Sequence, residues 1–422
     1  MSVLFLLVSI WGALFTLNAM YPVRRNKLLF GPSFFASWMT IELAGHHLLW
    51  QGVATVVFIL LGALDNWIGW VGLAITVVSW IGLLVIMRDG RRTAQRVREA
   101  MGGMQADGES EEIPFSRILF PFHLKRRGVV REKDIAYARA GGRELKLDVY
   151  RPEEMTEKHP AILQIHGGGW VIGDKREQGI PLLNHLAANG WVGFNANYRL
   201  SPTATWPEHL IDLKRAVVWI REHADECGVD PDFIAVTGGS AGGHLTAMMG
   251  LTADDRTLQP GFEDADASVQ AAVPFYGVFD FTDRQGVNHD DFLSRFLEPM
   301  VMKAFIADEP EKFAAASPVD RVNADAPPFF VIHGDRDTLA PLEDARLFVD
   351  RLREASDEPV VYAELQGAQH AFDMFYSMRS TPVFEAVERF LEKVRRHVQE
   401  GGPEVIERDI RMEASDSERD VA

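Results

Sequence analysis

Trp67 to Met87 is an unbroken run of 21 residues without a charge. A helix needs about 20 apolar residues to cross a hydrocarbon core. In lipid every backbone N–H and C=O must be satisfied within the segment, so such a run is held to helix. Val3 to Met20 is a second uncharged run of 18 residues, and Leu48 to Leu64 a third of 17. The third extends toward Phe34 only by taking in Glu42, His46 and His47. Charge in lipid is costly, so these three are expected near an interface or against a neighbouring helix. Hydrogen bonding between helices is the favoured reading of His46 and His47. Residues 1–100 thus read as a helical membrane anchor of about three spans, with lipid as its partner. Gly69, Gly72 and Gly82 are candidates for close helix approach.

Arg24, Arg25 and Lys27 follow the first run, and five arginines from Arg88 to Arg98 follow the last. Cationic flanks stay in the cytoplasm, which predicts an outside N-terminus and a cytoplasmic main domain. A cleaved signal peptide is the rival for residues 1–20. It lacks a charged leading segment and a small-residue cleavage site.

Residues 1–100 hold eight Lys or Arg against four acids, whereas the remainder holds 35 against 56. A soluble part that acidic repels phosphate backbones, which argues against nucleic-acid binding. Cys227 is the sole cysteine, so no intrachain disulfide forms. No His-Glu-x-x-His and no Cys/His cluster points to a metal, and no cofactor is expected.

Residues 101–127, glycine-rich and then acidic, read as a linker. From Val129 onward short β-rich runs alternate with helical segments, the pattern of a mostly parallel sheet covered on both faces. Strands are predicted at 129–137, 144–150, 161–165, 191–197, 233–237, 271–276, 328–333 and 360–366. Helices are predicted near 178–189, 207–224, 241–252, 342–355 and 382–398. The first two strands read as a hairpin turning at Ala140-Gly141-Gly142-Arg143. The stretch 280–316 fits no strand and is read as a cap carrying Phe292, Phe296 and Phe305. Residues 399–422 are glycine-rich and then charged, the composition of a disordered tail.

Gly238-Gly239-Ser240-Ala241-Gly242 stands where a strand is expected to turn into a helix. A serine hydroxyl is a poor nucleophile without a base. A sharp strand-to-helix turn presents it, in a strained backbone that only small neighbours allow. His370, after the last strand, is the candidate base, and Asp337 the carboxylate that orients it. Asp335 is a rival for that role, while Glu343 and Asp344 on the next helix are expected to be solvated. Upstream lies His166-Gly167-Gly168-Gly169-Trp170. The backbone N–H groups of Gly167, Gly168 and Ala241 are expected to meet the oxyanion that forms when a carbonyl is attacked, each donor contributing about 3–4 kcal/mol. His166 is read as structural and His244 as a packing residue. Trp170, Gly239, Phe292 and Phe296 are candidate substrate contacts, although Trp170 suits the edge of the sheet equally well.

These motifs, together with Tyr198-Arg199-Leu200-Ser201-Pro202, His333-Gly334-Asp335-Arg336-Asp337 and His370-Ala371-Phe372, resemble the esterase and lipase group of the α/β-hydrolases. Hormone-sensitive-lipase-like and feruloyl-esterase-like enzymes belong to it. The resemblance spans residues 128–398. It implies an eight-stranded α/β-hydrolase fold with a small cap and cofactor-free hydrolysis of carboxylic esters through an acyl-serine. Hormone-sensitive-lipase-like members carry an aspartate where Gly239 stands, so the feruloyl-esterase-like side is favoured. Helices ahead of such a domain are also similar to prenylcysteine methylesterases. The sequence therefore points to a membrane-anchored serine esterase for lipid-like or amphiphilic esters. A serine peptidase or amidase, and a silent membrane scaffold, are the competing readings.

Overall fold

The computed structural model of the chain describes all residues except 25, 27, 103–114, 289–291 and 401–422. Residues 103–114 of the expected linker and all but two residues of the expected tail lie outside the described residues, and the described part of the linker holds a short helix. The N-terminal region holds α1 (Ser2–Met20), α2 (Phe30–Glu42), α3 (Ala44–Leu60), α4 (Trp67–Arg91) and α5 (Thr93–Met101), followed by the short α6 (Phe115–Leu119). By length and composition α1 and the helix starting at Trp67 can each cross a membrane. The third expected span is not a straight rod, because α2 and α3 meet at 88°. With 13 residues, α2 is about 20 Å long and too short to cross by itself.

The packing of these helices inverts that of a water-soluble bundle. On α1 the buried residues are Ser2, Phe5, Ser9, Gly12, Thr16 and Ala19, whereas Leu4, Leu7, Trp11, Leu14 and Leu17 face outward. Small and hydroxyl side chains let helix backbones approach and bond across the seam. Thr16 Oγ1 and Ser79 Oγ are 2.8 Å apart, and Thr76 Oγ1 donates to Ser9 Oγ at 2.9 Å. Gly72 lies so close to α1 that a Cβ there would be 3.2 Å from the Leu6 Cα. Gly69, in contrast, packs on the Ala63 carbonyl just ahead of its own helix. His46 Nε2 lies 3.2 Å from the Leu119 carbonyl, and the His47 ring packs on Phe15 of α1. His46 thus bonds to a neighbouring helix as expected, whereas His47 meets its neighbours through ring packing and not through the expected hydrogen bond.

The α/β domain carries strands β1 (Val129–Ala140), β2 (Arg143–Pro152), β3 (His159–Ile165), β4 (Val192–Ala196), β5 (Val229–Gly239), β6 (Ala271–Phe275), β7 (Phe329–Gly334) and β8 (Val360–Leu365). They form one sheet in the order β1-β2-β4-β3-β5-β6-β7-β8. The β1–β2 and β2–β4 pairs are antiparallel and the rest parallel. The β1–β2 turn has positive φ at both Gly141 and Gly142, which matches the right-handed twist of its strands. Helices α7 (Ile180–Ala188), α8 (Glu208–Glu222), α9 (Ala224–Cys227), α10 (Ala241–Leu251), α11 (Pro310–Ala315), α12 (Pro318–Arg321), α13 (Leu342–Ala355) and α14 (Ser380–Glu400) complete it. One apolar core lies on each face of the sheet. The central strands read as near-continuous apolar runs because both their faces are buried. The stretch 280–316 contains a π-type helix, Phe292–Met302, where the sequence showed only a strandless segment.

The N-terminal region is not hung on a tether. Val97 and Met101 of α5 sit in the same core as Phe384 and Phe390 of α14. Glu42, at the end of α2, meets Arg379 in a buried ion pair at 3.1 Å and accepts from Ser377 Oγ at 2.7 Å. Breaking a buried pair strands one charge, which costs about 3–5 kcal/mol. Glu42→Ala is therefore expected to lower the thermal midpoint of the detergent-solubilised chain markedly. The double replacement of Glu42 and Arg379 by methionine should recover most of that loss, and thermal unfolding of both variants checks it.

Candidate active site

Ser240 is the single residue between the last strand residue of β5, Gly239, and the first residue of α10, Ala241. Its backbone has φ 60° and ψ −121°, a conformation costly for any residue with a Cβ and typical of functional turns. The turn is held by backbone contact. A Cβ on Gly238 would fall 2.6 Å from the Ile165 carbonyl oxygen, and one on Gly242 2.2 Å from the same atom. Only glycine lets β3 and the turn touch in this way. Gly239 answers a different neighbour, since a Cβ there would meet the Tyr276 hydroxyl at 2.6 Å. The space that an aspartate would fill at position 239 is occupied by Tyr276. Ser240 is partly exposed.

His370 Nδ1 lies 2.7 Å from Asp337 Oδ2. A carboxylate only accepts, so Nδ1 carries the proton and Nε2 is left as the basic nitrogen. The other oxygen, Asp337 Oδ1, accepts the N–H groups of Leu339 and Ala340 at 2.7 and 2.9 Å. Burial pushes the Asp337 carboxyl up, but the charge and hydrogen bond of His370 and the Ala340 N–H outweigh it, and its pKa is lowered. Asp335, the rival, accepts from Gly367 N instead. Asp344 is buried rather than solvated, its carboxyl pushed up to about 7 by burial.

The glycine loop after β3 passes close to the serine, for a Cβ on Gly167 would come within 3.0 Å of the Ser240 Cβ. Its expected donors divide. The Gly167 N–H is taken by Gln178 Oε1 at 2.6 Å, so the structure withdraws this residue from the expected set of oxyanion donors. The N–H groups of Gly168 and Ala241 make no hydrogen bond with a described residue. That of Ala241 lies at the positive end of α10. The loop is fixed from outside. Tyr198 Oη donates to the His166 carbonyl at 3.0 Å, Lys175 N donates to Asn197 Oδ1, and the Lys175 ammonium is buried against Asp148 and Asp134. His166 stacks on Tyr198, and burial lowers its pKa to about 4, which keeps it neutral.

Trp170 does not reach the site. It is 1% exposed, with its ring against His244 and Phe281, and the core claims it because the left-handed turn at φ 60° points it inward. His244 packs there too, and its Nε2 donates to the Ala316 carbonyl at 2.8 Å. Phe296 does reach the loop: its Cζ is 2.8 Å from where a Cβ on Gly169 would stand, and Phe292 lies beside it with ring centroids 6.0 Å apart.

Four residues at the site escaped sequence reasoning. Tyr276 packs on the His370 ring at 4.4 Å and its hydroxyl donates to the buried Asp373. Gln178 binds the Gly167 N–H, and Gln369 bridges Thr338 N and His370 N through Oε1. Asp373 and Gln369 flank His370 in the chain, which is the only signal that pointed to them.

The BD-FAE family model matches residues 147–352. The probable carboxylic ester hydrolase LipM of Mycobacterium tuberculosis is 41% identical over 410 residues, covering 92% of this chain and 93% of its own. Esterase LipQ of the same organism is 46% identical over 63% of each chain. Among solved structures, Thermogutta terrifontis esterase 2 phosphonylated by sarin superposes with a TM-score of 0.52 at 28% identity, covering 62% of this chain and 91% of that one.

The lowered pKa of Asp337 has a sign. Its stabilising interaction is complete above the ordinary carboxylate value of about 4 and is lost as pH falls through the lower folded value. Asp337→Asn removes it. The unfolding free energies of wild type and variant should thus differ above about pH 5 and draw together in stronger acid. Urea unfolding across that range tests this.

Proposed function

Since the chain belongs to the α/β-hydrolase carboxylic ester hydrolases, we propose that Ser240, His370 and Asp337 are its catalytic triad and that it acts on lipid-like or amphiphilic esters at a membrane. The observation that carries this reading is the 2.7 Å bond of His370 to Asp337, formed by loops at the ends of β7 and β8, in the sheet whose β5 ends in the strained Ser240 turn.

The chemistry follows from the protonation pattern. His370 Nε2 takes the Ser240 proton as Oγ attacks the ester carbonyl, and Asp337 stabilises the imidazolium. Negative charge gathers on the carbonyl oxygen, and the N–H groups of Gly168 and Ala241 meet it. When the tetrahedral intermediate collapses, the C–O bond to the alcohol breaks and His370 returns the proton to the departing oxygen. Water, deprotonated by His370, then attacks the acyl-serine; the bond to Ser240 Oγ breaks, His370 returns the proton to Oγ, and the acid leaves. In a free enzyme the serine–histidine bond is often loose and tightens on the substrate. Of the residues proposed as substrate contacts, Phe292 and Phe296, carried by the cap, fit an apolar acyl wall over Gly169. Gly239 leaves room for Tyr276, which packs on His370.

Membrane anchoring is supported by the outward apolar faces of α1, α3 and α4. Arg88, Arg91, Arg92, Arg96 and Arg98 cluster where α4 passes into α5, which favours a multi-pass chain with its α/β domain in the cytoplasm. Residues 1–100 are the proposed anchor and 128–398 the catalytic domain.

Ser240→Ala is expected to abolish hydrolysis of both short- and long-chain p-nitrophenyl esters, while Asp337→Asn should lower kcat by about 10^3–10^4-fold. Wild-type turnover that survives Ser240→Ala would sink the triad. A reporter fused after Ala422 should read out in the cytoplasm, and an external signal would reverse the proposed orientation.

A further inference from the structure

A single turn of α2 touches three consecutive residues of the histidine loop. Ser37 Oγ accepts from Gln369 Nε2 at 3.0 Å, Phe34 sets its ring edge-on to the His370 imidazole with centroids 6.4 Å apart, and Trp38 Nε1 donates to the Ala371 carbonyl at 2.9 Å. Ala371 has φ 62°, a left-handed backbone that a residue with a Cβ holds only when its surroundings demand it. Phe34, Ser37 and Trp38 all lie outside the segment 147–352 that matches the family model.

The Ser37 contact settles an ambiguity in Gln369. A side-chain amide can turn over and exchange its donor and acceptor ends. The Ser37 hydroxyl proton is committed to the Phe34 carbonyl at 2.9 Å, so toward Gln369 this oxygen only accepts. The NH2 group must then face α2, and Oε1 faces the opposite way. There it accepts Thr338 N at 2.9 Å and His370 N at 3.0 Å. One amide thereby ties the loop that carries Asp337 to the loop that carries His370.

Resting on the triad reading above, we infer that α2 is part of the catalytic site: Ser37, through Gln369, and Trp38, through Ala371, are positioning residues that set His370 against Asp337. The ion pair of Glu42 with Arg379, at the end of the same helix, holds α2 in place. Arg336, beside Asp337, donates to the Ala19 carbonyl at the end of α1 at 3.2 Å, so a second helix of the N-terminal region also meets the acid loop. Rate, and not merely location, depends on the N-terminal helices.

The test uses the full chain in detergent with a short, water-soluble p-nitrophenyl ester, whose binding needs no membrane. Active sites are counted with a fluorescent alkyl phosphonate, so that kcat refers to folded, reactive enzyme. Ser37→Ala removes the acceptor of the Gln369 amide together with the hydroxyl's own bond to the Phe34 carbonyl, and Trp38→Phe removes the bond to Ala371 while keeping an aromatic ring. Each is expected to lower kcat about five- to tenfold with KM unchanged, and Ser37→Thr, which keeps the hydroxyl, should restore it. Per-site kcat within twofold of wild type in both variants overturns the inference, as does a Ser37→Thr enzyme no faster than Ser37→Ala. Failure of the triad reading looks different: the phosphonate would then label Ser240→Ala as it labels the wild type.

Discussion

The Ile165 carbonyl oxygen occupies the place where a side chain on Gly238 or Gly242 would have to go. That backbone contact between the end of β3 and the β5–α10 turn makes the rest of the site possible. It holds Ser240 in its left-handed conformation and puts the glycine loop, which continues from β3 after Ile165, beside the serine. A methyl group inserted there would have to push β3 and β5 apart, and they are neighbouring parallel strands in a close-packed interior that yields little. The Ser240 strain is sustained because its surroundings over-determine it.

A second constraint acts at the boundary between the helical region and the α/β domain. On α1 most inward residues are small or hydroxyl-bearing and most large apolar ones face outward, the packing expected where the surroundings offer no hydrogen bonds. Where α2 meets the α/β domain, that inward polarity finds partners. Ser37 bonds Gln369, and Glu42 bonds Arg379 and Ser377. The same side chains that would be out of place facing lipid make a specific, buried joint.

Much of this was legible in the residues. All eight strands fall where they were expected: the central ones are short apolar runs bounded by turn residues, and the charged β1 and β2 are marked by the Gly141-Gly142 turn between them. The elbow was legible because its requirement is local steric exclusion, written as glycine on both sides of Ser240. Asp337 was preferred to Asp335 although both stand just past β7, and the structure sets Asp337 against His370 and Asp335 on the Gly367 N–H. What stayed hidden depends on contacts remote in the chain. Glu42 and Arg379 are 337 residues apart, and Ser37 belongs to no motif. Gly239 read as a missing aspartate; its cause is Tyr276, just past the end of the neighbouring strand β6. Gln178 carries no motif, yet it decides which amide of the glycine loop is free.

The joint at Arg379 also bears on how such a chain can be rebuilt by recombination. A guanidinium 2% exposed tolerates no exchange of the leading helices for an unrelated hydrophobic anchor, because the graft would supply lipid-compatible length but no carboxylate. Shuffling at the seam near residue 102 would leave α5's apolar face, Val97 and Met101, torn out of the core as well. The leading helices and the α/β domain thereby share one buried joint, so a change on either side of it is felt on the other.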